Sequence, residues 1–451
     1  YRETDHYQKV RYDFWVLVSE MFSCHYMKTI YDWCEEHHCK ATGHIMMEES
    51  IFSQMTSTAG VMPFYEYMHV PGIDWLRRRI DSPVIGKQVG SVACQLGKKQ
   101  VLTESYALCG WGVTFEELKW IAEWQFVNGV NQICQHLMAY TIKGVRKRDY
   151  PPSHFIQQTW WKDAKLFHDY LARECVALSY GDQTADVLLL HPLRSGYITY
   201  DGTRTEEIRQ LDERCVEISE ALSGQHISYH YGDETIIERY GRVEGKQFIV
   251  GRIAYQTVVM PHMHALDKKT VDLLLDFARN GGTILGVGRD PDFTNGSMEK
   301  LGELLTYVRQ TNLTGIRSAL KEEGLISLSI HCGEEEADCI SYQQRTEGDT
   351  SVYFLVNHSQ ERFCDTTVTF FGVAGAVFQM HAETGAIERL ASQSDGKNTI
   401  IKLGFNPMQS YLLYVEDVHT VDNYHVKREL RQELLLLDEW KLDAIDTNAF
   451  T

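Results

Sequence analysis

No apolar run in this 451-residue chain approaches the roughly 20 residues that span a bilayer, so nothing in it is expected to cross a membrane. Positive charge is short as well. Lys and Arg number 44 against 62 Asp and Glu, a formal net charge of −18. That deficit argues against nucleic acid or an anionic membrane surface as the main partner, because both reward clustered cations. Paired cysteine motifs are missing. The 11 cysteines are scattered and odd in number, which reads as reduced thiols rather than a disulfide framework. Cys34 and Cys39 flank His37 and His38, but one such cluster without a second pair falls short of a zinc site, and Cys332 and Cys339 read as incidental. There is no GxSxG elbow and no HExxH helix, which sets aside serine-hydrolase and zinc-protease chemistry. The GVG of GTILGVGRD lacks the helix-opening glycine of a dinucleotide site. No internal repeat or low-complexity tract is visible. The chain opens on Tyr1 rather than Met and shows no signal peptide, so a piece of a longer polypeptide is expected and localisation stays open.

What is present is apolar material for several cores, 43% of residues, and a length that suggests about three domains. Residues 10–36 carry a helical apolar pattern, and Cys39–Met47 reads as a buried strand. A loop-rich stretch over 48–81 follows. Val84–Leu96 reads as a helix and Gln100–Ser105 as a strand. Thr114 with Glu117 forms a capping box opening a helix to Asn128, and Asn131–Leu137 reads as a third strand. This helix–strand alternation is the grammar of a parallel α/β barrel or of a doubly wound sheet. A second α/β unit over 184–311 holds the strands ADVLLL, HISYHY, KQFIVG, TVVMP and GTILGVG. From about residue 314 to 418, short alternating strands without helical periodicity mark an antiparallel sandwich.

Four clusters lie at the ends of the first unit's segments: TGHIMMEES with His44, Glu48 and Glu49; FYEYMHVPGID with Glu66 and His69; VLTESYALCGWG with Glu104 and Trp111; and the stretch from His136 to Arg148. Each has an ordinary reading as a solvated loop, a cap or a packed ring. Their common place at strand ends gives them weight, because barrel enzymes set their sites there. A carboxylate ending an apolar strand, as Glu104 does, is costly unless it is paired or working. Carboxylates, aromatics and no phosphate loop suit glycoside hydrolysis, in which one carboxyl protonates the leaving oxygen and another acts as nucleophile or base. The 9 Trp, 24 Tyr and 18 Phe would supply flat faces for sugar rings.

TGHIMMEES, FYEYMHVPGIDWL, VLTESYALCGWGVTFEELKWIAEWQFVNGVN and RKRDYPPS together resemble large bacterial glycoside hydrolases of the α-L-rhamnosidase type, over roughly residues 8–290. The resemblance implies an α/β plus all-β chain. Residues 1–183 would be the C-terminal part of a (β/α)8-type barrel and 184–312 a flavodoxin-like α/β domain. Residues 313–424 would be a β-sandwich, and 425–451 a linker or the start of a further β domain. It also implies removal of a terminal sugar, α-L-rhamnose foremost, from plant-type glycans. No cofactor is read from the sequence, although calcium can assist sugar binding in such relatives and no calcium loop is seen here. Glu104 is the central carboxylate, with Glu48 or Glu49 as its partner unless the general acid lies upstream of Tyr1. Contacts to sugar hydroxyls would come from His44, Glu66, His69, Trp111, His136 and Arg148. The rivals are a β-galactosidase-like specificity and a non-catalytic carbohydrate-binding scaffold. An amidotransferase-like second domain would need a cysteine at a strand-to-helix turn, whereas Cys215 falls within a helix. Oligomeric state is not readable.

Overall fold

The computed structural model describes residues 6–348 and 350–417, so the expected segment 425–451 lies outside it. The chain opens on a long helical rod, Tyr7–Glu20 and Lys28–Glu36 joined through a π-helical Met21–Met27. Several apolar residues that announce this helix, Phe14, Leu17, Met21 and Trp33 among them, lie on its exposed face. Four parallel strands follow and pair in sequence order: β1 (Thr42–Gly43), β2 (Val70–Trp75), β3 (Leu102–Ser105) and β4 (Gln132–Gln135). The helices Val84–Gln95 and Phe115–Val127 connect the last three. This is the consecutive parallel order of an α/β barrel wall, and among the described residues it does not close.

Sequence reasoning placed a loop where β2 runs. Pro71 and Gly72 argue against a strand taken locally. Their neighbours explain the exception. β1 is two residues long and ends opposite Pro71, and a Cβ on Gly72 would lie 2.5 Å from the Gly43 carbonyl oxygen. Close approach of the two backbones therefore requires glycine there. The expected first strand, Cys39–Met47, shrinks to Thr42–Gly43. The capping box at Thr114 forms as read, with Thr114 N–H donating to Glu117 Oε2 at 2.9 Å.

The second unit holds a five-stranded parallel sheet in the order Val308–Thr311, Thr283–Val287, Thr257–Met260, Val187–Leu190, Tyr229–Gly232. Numbered along the chain this is 5-4-3-1-2, the flavodoxin-like order. KQFIVG does not join it. Gln247–Val250 is the middle strand of an antiparallel meander with Gly241–Glu244 and Ile253–Tyr255. Two antiparallel sheets, of five and six strands, form the sandwich. Asp182–Gln183 lies on the edge of the six-stranded sheet, paired to Arg345 and Thr346, so the chain touches the sandwich before it enters the second unit.

Buried apolar side chains form two clusters among the described residues. One runs through the four-stranded parallel unit and the doubly wound unit, and the other lies between the sandwich sheets. Trp120, on the helix after β3, donates from its indole N–H to the His358 carbonyl oxygen at 2.8 Å and ties the sandwich to the four-stranded unit.

Candidate active site

The alternation of side chains along β3 decides where Glu104 points. Thr103 and Ser105 are buried toward the helix behind, where the Gln125 side chain bonds both hydroxyls, at 2.5 Å from Thr103 Oγ1 and 3.0 Å from Ser105 Oγ. With those two anchored outward, period two directs Glu104 to the opposite face. Its side chain is 30% exposed there, and its Oε2 lies 3.0 Å from His44 Nε2, just past β1. His136, just past β4, places Nε2 4.0 Å from Glu104 Oε1.

Asp74 is Glu104's register partner on β2, and its Oδ2 lies 3.9 Å from His44 Nδ1. The His44 ring thus stands between the two carboxylates. Burial and the negative charges of Glu104 and Glu49 push the Asp74 carboxyl up, with His44 opposing them. Sequence reasoning missed Asp74 because it missed the strand; the apolar run through Val70 and Ile73 that ends on an acid was the available signal.

The two glutamates after β1 separate. Glu49 is exposed at the mouth. Glu48 is buried beneath it, accepting from Tyr65 OH at 2.7 Å, Ile45 N at 3.2 Å and Asp74 N at 3.3 Å. Burial drives its carboxyl well above the usual range despite those bonds. Its geometry is that of a clamp between the β1 loop and β2 rather than a group offered to substrate.

Trp111 and Arg148 lie over the same edge. Trp111 is half-buried and donates from Nε1 to the Lys147 carbonyl oxygen at 3.0 Å, and Arg148 is exposed in the 3-10 turn Gly144–Arg148. Glu66 and His69 are not brought to Glu104. They precede β2, at the N-terminal end of the sheet, because the Pro-Gly pair beside them lies inside the strand instead of turning the chain. Glu66 is ion-paired with Arg239 and accepts from Tyr240 OH at 2.7 Å. His69 stacks on Tyr31 and pairs with Glu35. Both tie this edge to neighbouring elements.

Backbone strain collects at the Glu104 end. Met47, Tyr106 and Leu108 adopt left-handed conformations with φ of 61°, 82° and 63° in the loops immediately after β1 and β3. Non-glycine residues persist there only where surrounding structure fixes them, a pattern common at working sites.

His44, Glu48 and Asp74 bring one nitrogen and two carboxylate oxygens within 4.8 Å of one another. Calcium takes six to eight oxygen ligands. The imidazole does not suit such an ion and Glu48 already accepts three bonds, so of the three Asp74 alone is left for calcium, one ligand rather than a shell. In the second unit, Cys215 is buried inside helix Glu206–Gly224, 3.6 Å from Tyr231 OH, and burial pushes its thiol up to about 12. That placement is unlike the strand-to-helix nucleophile of an amidotransferase.

The chain can now be set beside known proteins. The solved rhamnosidase of Novosphingobium sp. PP1Y superposes with a TM-score of 0.71 at 18% identity, covering 93% of this chain and 40% of that one. Gan42B, a GH42 β-galactosidase of G. stearothermophilus, superposes at 0.62 and 12% identity, covering 91% of this chain and 68% of its own. A putative β-glucuronidase of Formosa agariphila is 22% identical over 305 residues, 62% of this chain. The chain spans only 23% of that protein's length. A family model described as α-L-rhamnosidase matches residues 2–394. With nearly the whole described chain inside that match, the protein belongs to the α-L-rhamnosidase family.

Proposed function

We propose that this chain supplies the C-terminal half of the catalytic barrel of an exo-acting glycoside hydrolase that removes terminal α-L-rhamnose from plant-type glycans or glycosides. The observation that carries the reading is Glu104. It is half-exposed at the mouth of the parallel sheet, bonded to His44 and approached by His136, rather than turned into packing or tied to its own backbone. In this reading Glu104 is the base or nucleophile. The general acid comes from an earlier barrel strand outside the chain, consistent with a span of 40% of the Novosphingobium rhamnosidase. His44, His136, Trp111 and Arg148 hold sugar hydroxyls and cover a ring face, and Glu49 stands at the rim. A calcium ion bound here would be held in part by Asp74 and would supply positive charge for sugar hydroxyl oxygens.

A second reading, with the acid inside this chain, is favoured by one observation: Asp74 stands in register with Glu104 on the same face of the sheet, where burial and the neighbouring carboxylate push its carboxyl up. Carboxyls about 5–5.5 Å apart across the sugar give retention and about 6.5–9.5 Å inversion.

Assay of the full-length protein on aryl glycosides tests the proposal. Turnover of the α-L-rhamnoside well above that of the β-galactoside and β-glucuronide is expected. Preference for either of the latter would reassign the sugar, and affinity for sugars without turnover of any of them would identify a scaffold protein.

A further inference from the structure

The sandwich carries a feature unrelated to the barrel mouth. Cys339 immediately precedes strand Ile340–Glu347 of the six-stranded sheet, and Cys364 opens strand Cys364–Phe370 of the five-stranded sheet. Their Sγ atoms lie 3.4 Å apart, and both residues are buried, 4% and 2% exposed. Neighbouring contacts hold the two segments in place. His358 N–H donates to the Cys339 carbonyl oxygen at 3.0 Å. Arg362 Nη1 bonds Asp338 Oδ1 at 2.6 Å, and the Asn357 side-chain amide donates to the Arg362 carbonyl oxygen at 2.8 Å. These contacts fix the backbone beside both thiols, and from 3.4 Å the two sulfurs must still approach by about 1.35 Å to reach an S–S bond of about 2.05 Å.

We infer that Cys339 and Cys364 form a disulfide that staples the two sheets of the sandwich together. This departs from the sequence reading of uniformly reduced thiols. The chemistry is exchange with a small disulfide such as oxidised glutathione. One cysteine thiolate attacks it, forms a mixed disulfide and expels one glutathione thiolate. The second cysteine then attacks the protein sulfur of that mixed disulfide, forming the Sγ–Sγ bond and releasing the second glutathione as thiol. The protein loses two hydrogens, and the small disulfide is reduced to two thiols. Burial in the finished fold places the exchange during folding, before the sheets close, and shields the bond afterwards. The staple bears on the barrel as well, because the loop it closes contains His358, the acceptor for Trp120 on the helix behind Glu104.

The test is to refold the full chain in a glutathione redox buffer and, separately, under excess reductant. Free thiols are then blocked in denaturant, and unreduced peptides are mapped by mass spectrometry. A linked peptide joining Cys339 to Cys364, two hydrogens lighter than the reduced pair, is expected, together with a melting temperature several degrees above that of the reduced protein. Cys364→Ser and Cys339→Ala should each lose that peptide and the difference in melting temperature. Recovery of both cysteines in blocked form from natively folded, redox-buffered protein would overturn the inference. So would a linked protein that melts below the reduced one.

Discussion

The two ends of the same four strands use similar residues to opposite effect. At the N-terminal end, Glu66 meets Arg239 and Tyr240, and His69 meets Glu35 and Tyr31, so each polar group has a partner from a neighbouring element. At the C-terminal end, Glu104 and Asp74 face the same side in register, with the His44 ring between them and His136 at 4.0 Å from Glu104. The first arrangement stabilises; the second holds two carboxylates close together at a half-exposed mouth, which costs stability unless a substrate or cation engages them. Residue type alone does not distinguish a working site from a structural one. The position of each residue along its strand does.

The sharpest way to break this contrast is at Asp74. In the full-length protein, Asp74→Asn is expected to lower kcat/KM on an aryl α-L-rhamnoside about 100-fold or more while the melting temperature of the unliganded protein stays the same or rises, because one of two close carboxylates loses its charge. An unchanged rate would remove Asp74 from the site. At the other end, Glu66→Gln leaves Arg239 without its buried carboxylate. It should cost about 2–3 kcal/mol in denaturant unfolding while turnover per folded molecule stays constant, and a loss of rate without loss of stability would reverse the roles of the two ends.

A smaller effect lies at the seam between the four-stranded unit and the second unit. Asp212 accepts from Ile51 N at 2.7 Å and Phe52 N at 3.2 Å, starting the helix Ile51–Ser57, and burial raises its carboxyl to about 6. The folded protein therefore holds this proton more tightly than an unfolded chain, in which the carboxyl titrates near about 4. Its contribution is full below about pH 4 and is lost as pH rises through 6. Asp212→Asn should flatten that part of the stability–pH curve; an unaltered curve would place the titration elsewhere.

Much of this was legible in the sequence because it was local. The capping box at Thr114, the helix it opens, the sandwich alternation and the acid ending VLTE all rest on short-range rules. What was not legible depended on partners distant in the chain. β2 exists because a two-residue β1 and a side-chain-free Gly72 let the backbones approach, and with β2 hidden Asp74 was hidden too. The same hidden strand made Glu66 and His69 look like neighbours of a turn at the mouth, whereas they precede a strand that carries the chain away from them. Glu48 and Glu49, adjacent in sequence, part because only one of them can reach Tyr65 and the β2 backbone.

The most direct measurement is turnover of an aryl α-L-rhamnoside by the full-length protein carrying Glu104→Gln, read beside its melting temperature. The account expects kcat to fall about 10³-fold or more with melting unchanged or raised, since the substitution keeps shape and removes the charge that acts on the sugar and repels Asp74. Near-native turnover in a stably folded variant would contradict it.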